Sequence, residues 1–188
     1  SPQPSYGYFP TIPRMLVHLF PIHKLFPQQW FKNFNRLSVT PGQEIKAPMK
    51  VDYPSGACLM VRRKVIDEIG GMDERFFVYF EETDWCYRMM KEGWDRFYVP
   101  EAKVTHYCGS SFQNASLLKR VLNLESRFKF FKKHYSAFGF VFLRCLHAMS
   151  AIYFLTYYRL RYLLYTDKAV AKQELSYYKK VFQISICG

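Results

Sequence analysis

Glu81, Glu82 and Asp84 put three carboxylates into four consecutive residues, at the start of a helical pattern that runs from about Glu82 to Glu92 and stops at Gly93. A hydroxyl is a poor nucleophile until a base takes its proton. A carboxylate fixed on a rigid helix start can do that, for a gain of typically about 10²–10⁴-fold in rate. The same acids could instead simply cap the helix and complement its positive end. His106 is the other group with chemical potential. It closes an alternating stretch in which Ala102, Val104 and His106 would share one face of a strand, where a histidine taken alone is a satisfied core residue.

The elements around these residues follow from the pattern of apolar, glycine and proline positions. Ala57-Cys58-Leu59-Met60-Val61 is a short continuous apolar run that predicts a strand buried on both faces. Arg62 to Ile69 reads as a helix stopped by Gly70-Gly71. Trp94 to Val99 and Ala102 to His106 read as strands separated by Pro100. Upstream, Pro10, Pro13, Pro21, Pro27, Pro41 and Pro48 forbid a long helix and leave extended pieces with short helical turns. The apolar patches between them, Met15 to Phe20 and Trp30 to Phe34, either pack on a core or touch lipid.

From Ser116 the period becomes helical, with Leu117, Val121, Leu124, Phe128, Phe131 and Tyr135 on one stripe. Lys119, Arg120, Arg127, Lys129, Lys132 and Lys133 fill its flanks. Ala137 to Tyr158 is long enough to cross a bilayer but carries Arg144 and His147. A central arginine opposes insertion by about 2.5–3.5 kcal/mol, which favours a basic amphipathic helix lying in the interface. A helical hairpin packed on the core, or across a dimer, is the other outcome.

The 188 residues carry 27 Lys and Arg against 15 Asp and Glu, a net charge of +12 that points to an anionic partner. No nucleic-acid signature accompanies the charge, so nucleic acid is not the expected partner. Apolar residues at 49% exclude wholesale disorder, and aromatic residues at 19% call for a large core or an amphipathic interface. Five cysteines with no C-x-x-C spacing suit a reducing, cytosolic compartment and make a zinc site unexpected. The opening Ser1-Pro2-Gln3-Pro4 is neither a signal peptide nor a natural start, and reads as a boundary inside a longer protein.

Four ordered blocks between Val51 and Ser111 resemble family-2 glycosyltransferases, especially rhamnosyltransferase-like ones. The first is Ser55-Gly56-Ala57-Cys58-Leu59-Met60-Val61-Arg62-Arg63, and the second runs from Ile69-Gly70-Gly71-Met72-Asp73-Glu74 to Phe77. The third is Tyr79-Phe80-Glu81-Glu82-Thr83-Asp84-Trp85-Cys86-Tyr87-Arg88. The fourth comprises Gly93-Trp94, Pro100 through His106, and Gly109-Ser110. Weaker similarity extends to Ser5 through Thr11 and to Arg127 through Tyr135.

The resemblance implies an α/β fold, the C-terminal part of a GT-A nucleotide-diphospho-sugar transferase with short mixed strands, followed by amphipathic α-helices. It implies transfer with inversion from a nucleotide-sugar donor to a saccharide or lipid-linked saccharide hydroxyl, with Mg or Mn on the diphosphate. The general base falls on Glu82, where the family has Asp and the carboxylate therefore sits one methylene further out; Asp84 is the other candidate. Glu81, Asp84, Trp85 and the Ser55-Gly56-Ala57 turn are placed around the acceptor, and His106 at the metal or diphosphate.

The expected organisation is a Pro-rich aromatic connection (1–50), the acceptor and base half of a GT-A domain (51–115), and a basic amphipathic helical region (116–188). The sequence has no D-x-D, so the chain is expected to be inactive alone. In the whole enzyme it would act in bacterial cell-surface polysaccharide synthesis, as a hexosyl or rhamnosyl transferase. It would sit peripherally on an anionic membrane at the cytoplasmic face, with the C-terminal helices available for self-association. A non-catalytic membrane- or polyanion-binding module is the rival reading.

Overall fold

The computed structural model of the chain describes residues 3–20, 37–41, 45–106, 116–164 and 168–187. In chain order it has β1 (Tyr6–Gly7), α1 (Ile12–Leu19), β2 (Ser38–Val39), β3 (Met49–Lys50), β4 (Tyr53–Pro54), α2 (Arg63–Ile69), α3 (Glu81–Lys91), β5 (Phe97–Tyr98), α4 (Ser116–His134), α5 (Ala137–Leu164) and α6 (Lys168–Cys187). Among the described residues this is a mixed α/β arrangement of two small antiparallel sheets and six helices. β1 lies between β2 and β4, with Tyr6 opposite both Val39 and Pro54, and β3 pairs with β5. A Cβ on Gly7 would run into the Leu37 carbonyl oxygen and the Tyr53 ring, so β1 passes between them only as glycine.

Local chemistry explains the helices near the carboxylates. Thr11 caps α1 by accepting from the Arg14 amide at 3.4 Å, and Pro13 falls in the first turn, where no intrahelical donor is needed. α2 ends at Gly70 with φ 75°, a conformation that penalises side chains. Its exit carbonyls are taken up by α3: Arg88 donates to Ile69 O and Gly71 O at 2.6 Å each, and the Trp85 indole donates to Gly70 O at 2.9 Å.

One core joins Met15, Phe76 and Phe80 to Phe128, Phe130 and Phe131 of α4 and to Leu143 of α5. A second packs Phe9 and Val65 against Trp85, Cys86 and Met89 of α3. Rings bridge α3 and α4, with Tyr87 edge-on to Phe130 at 5.2 Å and 4.6 Å from His134. Much of the aromatic content is thus spent inside. α5 and α6 run antiparallel, as the pairings of Arg144 with Ser185 and of Tyr158 with Tyr178 require. A two-bond pair from Arg120 to Glu174, at 2.6 and 2.9 Å, ties α4 to α6.

Several sequence expectations are corrected. Residues 57–61 form no strand and Met60 is 97% exposed, because no neighbouring strand runs beside them among the described residues and a lone strand has nothing to bond. Of Trp94 to Val99 only Phe97–Tyr98 pairs, and residues 102–106 are irregular and exposed. On α4, Arg127 and Phe130 are buried beside the anticipated Leu124, Phe128 and Phe131, so Arg127 is no flank charge. Arg144 Nε donates to the Ser185 carbonyl at 2.8 Å, near the end of α6. α5 is long and apolar enough to cross a membrane by length and composition, and its outer side exposes Phe138, Val141, Met149, Ile152, Leu160 and Leu163. Trp30 to Phe34 and Gly109-Ser110 lie outside the described residues.

Candidate active site

The chain enters α3 through two bulky residues in the left-handed region, Tyr79 (φ 64°) and Phe80 (φ 69°). Each such residue stores about 1–2 kcal/mol and persists only where its surroundings over-determine it. Here the surroundings are α4: Ser126 donates to the Val78 carbonyl at 2.8 Å, and the Phe80 ring is buried 5.7 Å from that of Phe130. This forced turn aims Glu81 and Glu82 at the first turn of α3.

Both are half-buried, and each has one oxygen, Oε2, that is shut off from solvent without a hydrogen-bond partner. Burial first, and then the charge of Glu81, push the Glu82 carboxyl above its ordinary range; amide hydrogen bonds from Thr83 and Gly56 partly offset this. The Ser55-Gly56-Ala57 turn lies directly against that side chain, for a Cβ built on Gly56 would stand 3.5 Å from the Glu82 Cβ and 3.6 Å from its Cδ. Ser55 holds the turn by accepting from the Ala57 amide at 3.3 Å. The result is a proton acceptor of raised basicity, fixed on a helix start, with one oxygen unspent.

Asp84, two residues further on, is different in kind. It is 0% exposed and meets Arg88 Nε at 3.0 Å, His134 Nε2 at 2.6 Å and Lys133 Nζ at 2.7 Å. Burial alone would raise its carboxyl, but the hydrogen bonds from His134, Lys133 and Arg88 outweigh it and hold it below its ordinary range. Lys133 also bonds Asp73 at 2.6 Å, and the Arg75 guanidinium, with Lys133, keeps that carboxyl well below the usual range. Asp84 therefore cannot serve as a base or touch an acceptor; it is the buried anion that joins α3 to the end of α4. Trp85 is likewise a core residue, its indole donating to Gly70 O.

His106 is exposed, its Nδ1 3.1 Å from Gln3 Oε1, while Gln3 Nε2 donates to the His106 carbonyl at 3.1 Å. Among the described residues no three His, Cys, Asp or Glu side chains come together in a group able to hold a metal. Those described residues do not fit a divalent cation by themselves. Lys133 and His134, which decide the fate of Asp84, are not legible as such in the sequence because they look like the basic rim of an amphipathic stripe. The weak similarity of Arg127 through Tyr135 was the available signal.

Residues 34–122 match the family described as glycosyltransferase like family 2. The chain is 33% identical over 108 residues to the N-acetylglucosaminyl-diphospho-decaprenol L-rhamnosyltransferase of Mycobacterium tuberculosis, covering 57% of this chain and 33% of that protein. It is 37% identical over 62 residues to a low-salt glycan biosynthesis hexosyltransferase of Haloferax volcanii, covering 33% of this chain and 20% of that one. It is 27% identical over 116 residues to a rhamnosyltransferase of Escherichia coli, covering 61% of this chain and 43% of that one. The match thus spans between a fifth and less than half of these relatives. No solved structure matches the chain.

Proposed function

We propose, from the family-2 glycosyltransferase-like segment that residues 34–122 carry, that this chain forms the acceptor side of an inverting, GT-A-type sugar transferase of cell-surface polysaccharide synthesis. The observation that carries the reading is Glu82, half-buried, raised in basicity and left with an unpartnered oxygen. In the reaction Glu82 takes the proton of the acceptor hydroxyl while that oxygen attacks the anomeric carbon of the donor. The bond from that carbon to the nucleoside diphosphate breaks on the opposite face, which inverts the configuration. Glu81 keeps Glu82 basic, and the Gly56 turn packs against its side chain. The names of the relatives make a rhamnosyl or other hexosyl donor and a lipid-diphosphate-linked saccharide acceptor the first substrates to try.

The test is sugar transfer by the full-length protein, with a panel of nucleotide sugars that includes dTDP-rhamnose and with prenyl-diphosphate-linked N-acetylglucosamine as acceptor. One donor should give a product of inverted anomeric configuration, and the 188-residue chain alone should give none. Retention of configuration, or no transfer with any donor, would sink the reading.

A place on the cytosolic face of the membrane belongs to the same proposal. It is supported by the exposed apolar side of α5 and by an apolar groove of about 910 Å³ between α4 and α6, which Lys129, Lys132 and Lys180 edge. The chain should float with vesicles containing anionic lipid at low salt, and Lys132→Glu with Lys180→Glu, or high salt, should weaken that binding. Lys133 is unsuited to the test because it holds Asp73 and Asp84. A chain that stays at the bottom of the gradient at low salt is not a surface-bound one.

A further inference from the structure

On the other side of α4 from the groove, α1, α4, α5 and α6 enclose a cavity of about 270 Å³ whose lining includes His18, Arg120, Arg127, His147, Tyr177 and Tyr178. Arg127, 9% exposed, is one of the residues lining this space. Nη2 donates to Asn123 Oδ1 at 3.1 Å, Nη1 lies 3.4 Å from His147 Nε2, and Nε is buried with no hydrogen-bond partner. An arginine keeps its charge at any ordinary pH, so burying it calls for a counter-charge. Among the described residues no carboxylate lines the cavity, and Glu174 is already engaged by both terminal nitrogens of Arg120. The Arg120 guanidinium lies 3.5 Å over the centre of the Tyr177 ring, so it too is held at the wall.

We propose that this cavity binds a phosphate or diphosphate group, with Arg127 as its principal ligand. A planar guanidinium with an unpartnered Nε–H suits an oxygen of such an anion, and Arg120 lines the same space. His147 completes the wall as a neutral ring; burial, and then the Arg127 charge, push its pKa down to about 3. A volume of about 270 Å³ admits a diphosphate but not a whole nucleotide sugar. Assigning the anion to a substrate rests on the sugar-transfer reading. The demand of Arg127 for an anion does not.

Calorimetric titration of the purified chain at constant ionic strength tests the site, with inorganic diphosphate, dTDP and farnesyl diphosphate as three separate probes. The wild type should bind inorganic diphosphate, and Arg127→Met should weaken it by at least about tenfold. Tighter binding of farnesyl diphosphate than of dTDP assigns the site to a lipid-linked acceptor, and the reverse order assigns it to the donor. Thermal unfolding supplies the control for misfolding. In phosphate-free buffer Arg127→Met should unfold no earlier than the wild type, since it deletes an uncompensated buried charge, and diphosphate should raise the midpoint of the wild type only. Arg127→Lys, which keeps the charge and loses the fork, should bind between the two. No binding of any probe by the wild type, or equal binding by Arg127→Met, overturns the proposal. None of these readouts involves turnover, so anion binding stands or falls separately from a failed transfer assay.

Discussion

Glu82→Gln in the full-length enzyme should lower kcat by at least about 100-fold while leaving donor binding near its original strength. Glutamine keeps the shape that packs against Gly56 and removes only the capacity to accept a proton. The mirror experiment is Glu81→Gln. The Glu81 charge is the second cause, after burial, of the raised Glu82 carboxyl. A base works only when deprotonated, so activity falls as pH drops through the Glu82 pKa. Removing the Glu81 charge lowers that pKa, and the acidic limb of the kcat/KM profile should move to lower pH. An unmoved limb would mean that Glu82 is not the group being titrated. Unchanged turnover in Glu82→Gln would remove it as the base.

Asp84→Asn should destabilise the fold by about 3 kcal/mol, because it leaves the donors of Arg88, Lys133 and His134 without their shared buried anion. For a chain of this size that lowers the unfolding midpoint by about 10 °C, measured by calorimetry or circular dichroism. The pH dependence has a definite sign. The folded-state pKa of Asp84 is depressed, so the stability it contributes is fully present above the unfolded carboxylate pKa of about 4 and is lost as pH falls through the folded value. Asp73, depressed through Arg75 and Lys133, adds in the same direction. The wild type should therefore lose stability on acidification below about pH 4, and the variant should lose less. A variant as stable as the wild type at neutral pH would show that the ion cluster contributes nothing net.

Local signals carried α2 and α3: the glycine at position 70, where φ is positive, and the acids at the positive end of α3 mark their bounds within a residue or two. Strands did not follow, because an apolar run such as 57–61 needs a partner strand, and pairing is not written in the run itself. At the candidate site, Glu82 and Asp84 look equivalent in sequence, two residues apart with the same chemistry. What separates them is Lys133 and His134, some fifty positions downstream, which neutralise one and ignore the other. Arg127 was hidden for the same reason. A basic residue on a helix is ordinarily solvated, and only the packing of α1, α5 and α6 around it turns it inward.

That long-range clasp bears on how this protein could be cut, spliced or recombined. A break after residue 115 looks natural, since a long helix begins at Ser116. It would nevertheless strip Asp84 of His134 and Lys133, and the Tyr79–Phe80 turn of the Ser126 hydroxyl that braces it. The smallest transplantable piece that keeps Glu82 aimed must therefore run at least through His134. Grafts between relatives at the 115 junction should yield insoluble or proteolysed chimeras, whereas junctions in the short connection between α4 and α5 preserve the clasp and leave the later helices as the exchangeable part.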